Sequence, residues 1–230
     1  ARWKNPNDRW EGGQDSGVWS ALERADFARA SIQLIFDRTN DTEYQASDFF
    51  CPGLNEWDPP ESGGWRNAAL AWLALLDEAD QRSPEMTSRG LHPIRLAIPG
   101  CSQGTPEYGE MVDVKATGLF DRMRTRGDIF LLHEGVFWDE RIDRGFGDLI
   151  PGAPSVPPDA GSLCGRFNYW YSLNISVPFV IGEFYDGKQR TAPNIERLGR
   201  MQWYDRLLRR SPWARGFCCF ELTDDTSSPL

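Results

Sequence analysis

Residues 53–60 of this 230-residue chain read Gly53-Leu54-Asn55-Glu56-Trp57-Asp58-Pro59-Pro60. The apolar run Phe49-Phe50-Cys51 leads into this stretch, and its two prolines prevent the backbone from continuing as a helix or a central strand. The pattern recurs in Pro178-Phe179-Val180-Ile181-Gly182-Glu183, where a turn-like Tyr185-Asp186-Gly187 follows. The sequence therefore predicts two buried strands that each end in a glutamate, Glu56 and Glu183.

Strands and helices alternate along the rest of the chain. Strand-end motifs occur near residues 54–56, 98–102, 132–134, 181–183 and 219–221. Between them, apolar residues recur at helical spacing in residues 18–36, 65–79, 107–123 and 195–210. We expect Ser83-Pro84 to end the second of these helices. We expect Pro99-Gly100 to end the strand that residues 93–98 form.

This alternation is typical of a parallel sheet covered by helices, and such units close most simply into a barrel. We predict an α/β fold with one domain over residues 1–230, a parallel (β/α)₈ TIM-barrel-like domain that is incomplete or lacks its first strands. Complete barrels of this kind usually take ~250 residues, and their function concentrates at the carboxyl ends of the strands. Glu56, His133, Glu134, Glu183 and Glu221 would all lie at that edge.

Charge and hydropathy limit the partners of the chain. The formal net charge is -9 and the sequence pI is about 4.8, without a basic run, so we expect neither nucleic acid nor an anionic membrane surface as a partner. No apolar stretch approaches the ~18 residues of a membrane span. We expect a soluble protein and leave its localisation open, with secretion and removal of a signal as one alternative. Because the chain starts at Ala1, we expect processing or trimming at that end.

The residues that usually bind metals are sparse. The chain has five cysteines without a Cys-x-x-Cys pair, and only two histidines, so we predict no structural zinc site and no cofactor. One disulfide remains an alternative. The ten tryptophans point instead to stacking surfaces for sugar rings, although packing in the core also uses such side chains.

The pairs Asn55-Glu56 and Gly182-Glu183 resemble motifs of the clan of retaining (β/α)₈ glycoside hydrolases that includes cellulases, mannanases and β-galactosidases. In that clan an Asn-Glu pair ends the fourth strand and a glutamate ends the seventh. The resemblance implies Glu56 as general acid/base, Asn55 as a donor to the sugar 2-hydroxyl, and Glu183 as nucleophile. It implies an oligo- or polysaccharide substrate with a β linkage. Only 54 residues precede Asn55, so the chain is short at its N-terminus for that clan.

The predicted site combines catalytic and substrate-binding residues. The catalytic pair is Glu56 and Glu183. The candidate substrate-binding residues are Asn55, Trp57, His133, Glu134, Trp138, Tyr185 and Glu221. Trp57 and Trp138 would offer stacking platforms. For Glu134 and Glu221 we favour a supporting or structural role, and His133 fits a core position and a substrate contact equally well.

Two other function classes remain open. A barrel-derived carbohydrate-binding or structural protein would keep the glutamates as hydrogen-bond partners without hydrolysis. A divalent-metal lyase or isomerase would use Glu56, Glu134, Glu183 and Glu221 as oxygen ligands. The sequence leaves the sugar, the linkage, endo or exo action and the oligomeric state undetermined.

Overall fold

The computed structural model of the chain describes residues 19–38, 49–51, 64–101, 105–136, 165–186 and 194–219. These residues form an α/β structure, as the alternating pattern predicts. Among the helices of these ranges, none combines the length and the apolar composition that a membrane crossing requires.

A four-stranded, all-parallel sheet lies at the centre of the described structure. Its strands are β1 (Ala97–Cys101), β2 (Ile129–Val136), β3 (Phe179–Asp186) and β4 (Ala214–Cys219), and they lie side by side in chain order. Phe50 forms an isolated parallel bridge with Leu96, directly before β1. The sheet confirms the predicted parallel α/β class. The four described strands do not show a closed eight-stranded barrel, which stays a prediction.

Helices connect the strands and pack side by side. They are α1 (Ala21–Arg38), α2 (Gly64–Ser88), α3 (Tyr108–Ala116), α4 (Leu119–Arg126), a 3₁₀ helix (Arg166–Asn168), α5 (Tyr169–Ser172) and α6 (Asn194–Leu208). Helix α2 packs against α1, α3 and α4. Parallel neighbours in a sheet need such crossovers, which is why every pair of adjacent strands is separated by helix.

Several predicted boundaries were wrong. Strands β2 and β3 continue to Val136 and Asp186, so they do not end at the predicted glutamates, and Tyr185-Asp186 belongs to β3 rather than to a turn. Strand β1 continues through Pro99-Gly100 because its register with β2 shifts at this point, and an irregular position of this kind tolerates proline. Helix α2 continues past Pro84 to Ser88. The predicted helix over residues 107–123 is two helices, because Gly118 adopts a φ of 83° between them.

One face of β2 carries the main aromatic core. Phe130 on this face contacts Phe120 of α4 and Trp170 of α5, with ring centroids 5.3 Å apart in both pairs. Phe179 of β3 lies 5.1 Å from Trp170, and the Trp170 indole N–H donates to the Val177 carbonyl at 2.7 Å. We call this side, which carries Phe130, Leu132 and Glu134, the helix face of the sheet. Because successive residues of a strand point to opposite sides, Leu131 and His133 lie on the other side, which we call the site face.

A buried carboxylate anchors the amino end of β2. Asp128 is fully buried; it accepts hydrogen bonds from the Leu96 backbone N–H at 2.8 Å and from Arg126 Nε at 2.7 Å. Arg126 also donates to the Ile94 carbonyl at 2.8 Å and pairs with Asp80. This network ties α2, α4 and the strands β1 and β2 together at the end of the sheet opposite the predicted site.

Candidate functional site

An extra residue in β3 determines which way Glu183 points. Leu132 of β2 pairs with Ile181 and His133 pairs with Glu183, so Gly182 has no partner of its own on β2. Without this bulge, Glu183 would follow Ile181 and lie on the helix face, because side chains alternate along a strand. The bulge instead turns Glu183 toward His133, and Phe184 returns to the helix face, where it stacks on Tyr204 of α6.

Glu183 and His133 lie together on the site face, in the carboxyl halves of β3 and β2 and beside the ends of the flanking strands β1 and β4. His133 Nδ1 is 3.9 Å from Glu183 Oε2, which is longer than a direct hydrogen bond and short enough for an electrostatic contact when the imidazole is protonated. The His133 side chain is 2% exposed and that of Glu183 is 24% exposed. The Glu183 carboxylate is therefore accessible to solvent and lies beside a buried imidazole on the same face of the sheet.

Gly182 is required sterically in this bulge. A Cβ atom at this position would lie 2.6 Å from Leu131 Cδ1 and 3.3 Å from His133 Nε2. Ordinary carbon contacts are ~3.5–4.0 Å, so a side chain here would displace its neighbours on the site face. The glycine thus allows the two strands to pack closely behind Glu183.

Glu134 lies on the opposite side of the sheet from His133, and its carboxyl group is completely buried. It accepts hydrogen bonds from the backbone N–H groups of Gly165 at 3.0 Å and Arg166 at 2.8 Å, and from the hydroxyl of Tyr204. Burial raises the pKa of Glu134, and these hydrogen bonds oppose the rise. The position favours the supporting role over direct contact with a substrate.

The same geometry corrects the hypothesis of a metal lyase that uses four glutamates. Glu134 and Glu183 lie on opposite faces of the sheet, so they do not bind one ion together. Within the ranges that the structure describes, no group of three or more His, Cys, Asp or Glu side chains has the arrangement of a metal site. Cys101 is buried, and Cys51 and Cys218 are exposed.

The other predicted site residues are placed only in part. Tyr185 belongs to β3 and pairs with Gly135. The remaining predicted residues lie outside the described part of the chain: Asn55, Glu56, Trp57, Trp138 and Glu221. The structure therefore brings together His133 and Glu183 from the predicted set and separates Glu134 from them, whereas the distance from Glu56 to Glu183 stays a prediction.

Two residues near the site were not predicted from the sequence. Tyr204 is fully buried and reaches Glu134 from α6, 70 positions further along the chain. Arg166 is 6% exposed, and its Nε donates to the Pro106 carbonyl at 3.2 Å. A tyrosine on the buried side of a helix and an arginine after a glycine carry no local signal that would distinguish them from ordinary packing residues.

The fold and site define an α/β protein whose parallel sheet presents a partly exposed glutamate beside a buried histidine at its carboxyl edge. Comparisons with models of protein families, with curated proteins and with solved structures found no match for the chain.

Proposed function

We propose that the chain is a retaining glycoside hydrolase that acts on a β-linked oligo- or polysaccharide. The observation that carries this proposal is the placement of Glu183 at the carboxyl edge of the sheet, 24% exposed and 3.9 Å from His133 Nδ1. Active sites of parallel α/β barrels are built at this edge, and a solvent-accessible carboxylate there can act as a nucleophile.

We also propose that the four described strands are part of a (β/α)₈ barrel. Their order follows the chain without reversal, and every pairing is parallel. Doubly wound sheets reverse their strand order at a switch point, whereas barrel strands follow one another around the barrel. The Phe50–Leu96 bridge extends the same order by one position toward the N-terminus.

The proposed mechanism has two displacements. Glu183 attacks the anomeric carbon while Glu56, as general acid, gives its proton to the departing glycosidic oxygen, so that a glycosyl ester of Glu183 forms and the leaving sugar departs as an alcohol. In the second step Glu56, now ionised, takes a proton from water as this water attacks the anomeric carbon. The ester bond then breaks and Glu183 is regenerated as a carboxylate. Asn55 donates a hydrogen bond to the sugar 2-hydroxyl, and His133 supports Glu183 electrostatically.

A panel of activated aryl β-glycosides tests the proposal. We expect the wild-type chain to release the aryl alcohol from at least one sugar, Glu183→Ala to abolish this turnover, and added azide to restore it with an inverted glycosyl azide as product. Glu85→Ala is the matched control, since Glu85 is an exposed glutamate of α2 that pairs with Arg82 at the surface.

Two outcomes would contradict the hydrolase. Full residual turnover in Glu183→Ala would remove Glu183 from the mechanism. Binding of oligosaccharides without release of reducing ends, in wild type and variant alike, would support the carbohydrate-binding protein instead.

A further inference from the structure

One tyrosine of α6 contacts both strands directly behind the His133–Glu183 pair. The Tyr204 hydroxyl donates to the Glu134 carboxylate, and the Tyr204 ring stacks on Phe184 with centroids 4.0 Å apart and planes inclined by 19°. Glu134 and Phe184 are paired across β2 and β3, as are His133 and Glu183. Glu134 and Phe184 therefore each adjoin, in their own strand, a residue of the His133–Glu183 pair. Tyr204 also contacts Phe217 of β4, with ring centroids 5.3 Å apart.

Glu134 extends this contact to a third part of the chain. Its two carboxylate oxygens accept the backbone N–H groups of Gly165 and Arg166, at the start of the 3₁₀ helix. Arg166 in turn donates to the Pro106 carbonyl, which follows β1. The carboxyl group thus links the end of β2 to α6, to the start of the 3₁₀ helix and, through Arg166, to the segment after β1.

We propose that Glu134 and Tyr204 are positioning residues that hold the His133 imidazole and the Glu183 carboxylate in their relative placement from the opposite side of the sheet. Neither touches a substrate, because both are fully buried. The expected effect of these residues on the catalytic rate rests on the proposed hydrolase function. Their effect on the placement of His133 relative to Glu183 does not.

The physical reason is that Tyr204 holds β2 and β3 together. Its hydroxyl donates to Glu134 of β2, and its ring stacks on Phe184 of β3. Without the Tyr204 hydroxyl, the Glu134 carboxyl group keeps the backbone donors of Gly165 and Arg166, and the hydrogen bond that joins Glu134 to α6 is lost. A strand end that moves by about 1 Å carries His133 with it, and a misplacement of that size costs about 10²-fold in rate. The stack on Phe184 remains in Tyr204→Phe, so this variant removes the polar link and leaves the ring contact in place.

Matched controls exist for both residues. Tyr171→Phe removes a hydroxyl of α5 that donates to the Arg210 carbonyl, which lies just after the end of α6. Asp128→Asn changes another fully buried carboxylate at the opposite, amino end of the same strand. These variants separate loss of positioning from loss of stability.

The first readout does not need activity. The chain has two histidines, so His92→Gln leaves His133 as the only imidazole signal in NMR spectra. In this background, Glu183→Gln should displace the His133 imidazole signal. We expect this displacement to fall to about half or less in Tyr204→Phe and Glu134→Gln, and to persist in Tyr171→Phe and Asp128→Asn. An unchanged displacement in Tyr204→Phe, or an equal loss in the controls, would overturn the inference.

The second readout is the rate on the best aryl glycoside. We expect kcat to fall at least ~10-fold in Tyr204→Phe with KM changed less than ~2-fold, because positioning acts on the transition state more than on binding. An unchanged kcat would overturn the catalytic part. If wild type hydrolyses no glycoside, the proposed function fails by itself, and the NMR displacement still decides whether Glu134 and Tyr204 position the pair.

Discussion

Gly182→Ala tests the close approach that turns Glu183 toward the site face. The new Cβ would lie 2.6 Å from Leu131 Cδ1 and 3.2 Å from Leu131 Cγ, about 1 Å inside ordinary contact. Leu131 is only 8% exposed, so it has little free space to move into. Overpacking of this kind costs about 2 kcal/mol, and the lower chain entropy of alanine in the unfolded state offsets about 0.5–1 kcal/mol. We therefore expect a net loss of about 1–1.5 kcal/mol.

A double-mutant cycle isolates the steric contact. Leu131→Ala alone should cost about 2–5 kcal/mol because it removes a buried side chain. It also removes both Leu131 atoms that the new methyl group would meet. Gly182→Ala should therefore be better tolerated in the Leu131→Ala background, with a coupling of about 1–2 kcal/mol. The entropy of the unfolded chain cancels in the cycle.

Urea unfolding followed by tryptophan fluorescence and far-UV circular dichroism gives the four free energies. Gly199→Ala is the control, since nothing lies within 4 Å of a Cβ at this position of α6. It should stabilise the protein by up to about 1 kcal/mol through helix propensity. Free energies that add within about 0.5 kcal/mol, or a Gly182→Ala variant as stable as wild type, would refute the steric account of the bulge.

Three further changes probe the core and the buried carboxyl groups. Asp128→Asn should lower the free energy of unfolding by about 3 kcal/mol in urea titrations, at the low end for a broken buried pair because Arg126 keeps its contacts with Asp80 and the Ile94 carbonyl. Trp170→Ala should cost about 3–5 kcal/mol and lower the thermal midpoint, since this fully buried ring packs on Phe130. Burial raises the folded-state pKa of Glu134, so the folded chain binds the extra proton above the unfolded value of about 4.3. Its contribution to stability is therefore complete below about pH 4 and is lost as the pH rises through the folded pKa. The unfolding free energy of wild type minus that of Glu134→Gln should fall from pH 4 to 7, by at most about 1.4 kcal/mol per pH unit. A difference that stays constant over this range would contradict the linkage.

Apolar runs and helical spacing in the sequence predicted strands and helices of the structure, because both patterns reflect interactions within a few positions of the chain. The apolar run before His133 and the run before Glu183 indicate strands, and both became central strands of the sheet, β2 and β3. Helical spacing over residues 18–36 became α1, and residues 195–210 became most of α6. Alternation of the two kinds of element was sufficient for the parallel α/β class, because only crossover helices connect parallel neighbours.

The placement of His133 and Glu183 at one edge was also predictable. Carboxyl ends of parallel strands meet at the same edge, so residues in the carboxyl halves of adjacent strands lie near each other. Whether Glu183 points to the side of His133 was not predictable, since this depends on one unpaired residue, Gly182, in the register with β2.

What the sequence determined by itself is therefore the order of strands and helices and the kind of sheet that they form, because periodicity and turn residues act within a few positions of the chain. Only the tertiary structure decided that Glu183 shares a face with His133, that Glu134 is turned away from both, and that Tyr204 supports the two strands from behind. The reason is that register and long-range contacts depend on how separate segments fit against one another, and a shift of one residue in a strand exchanges its two faces.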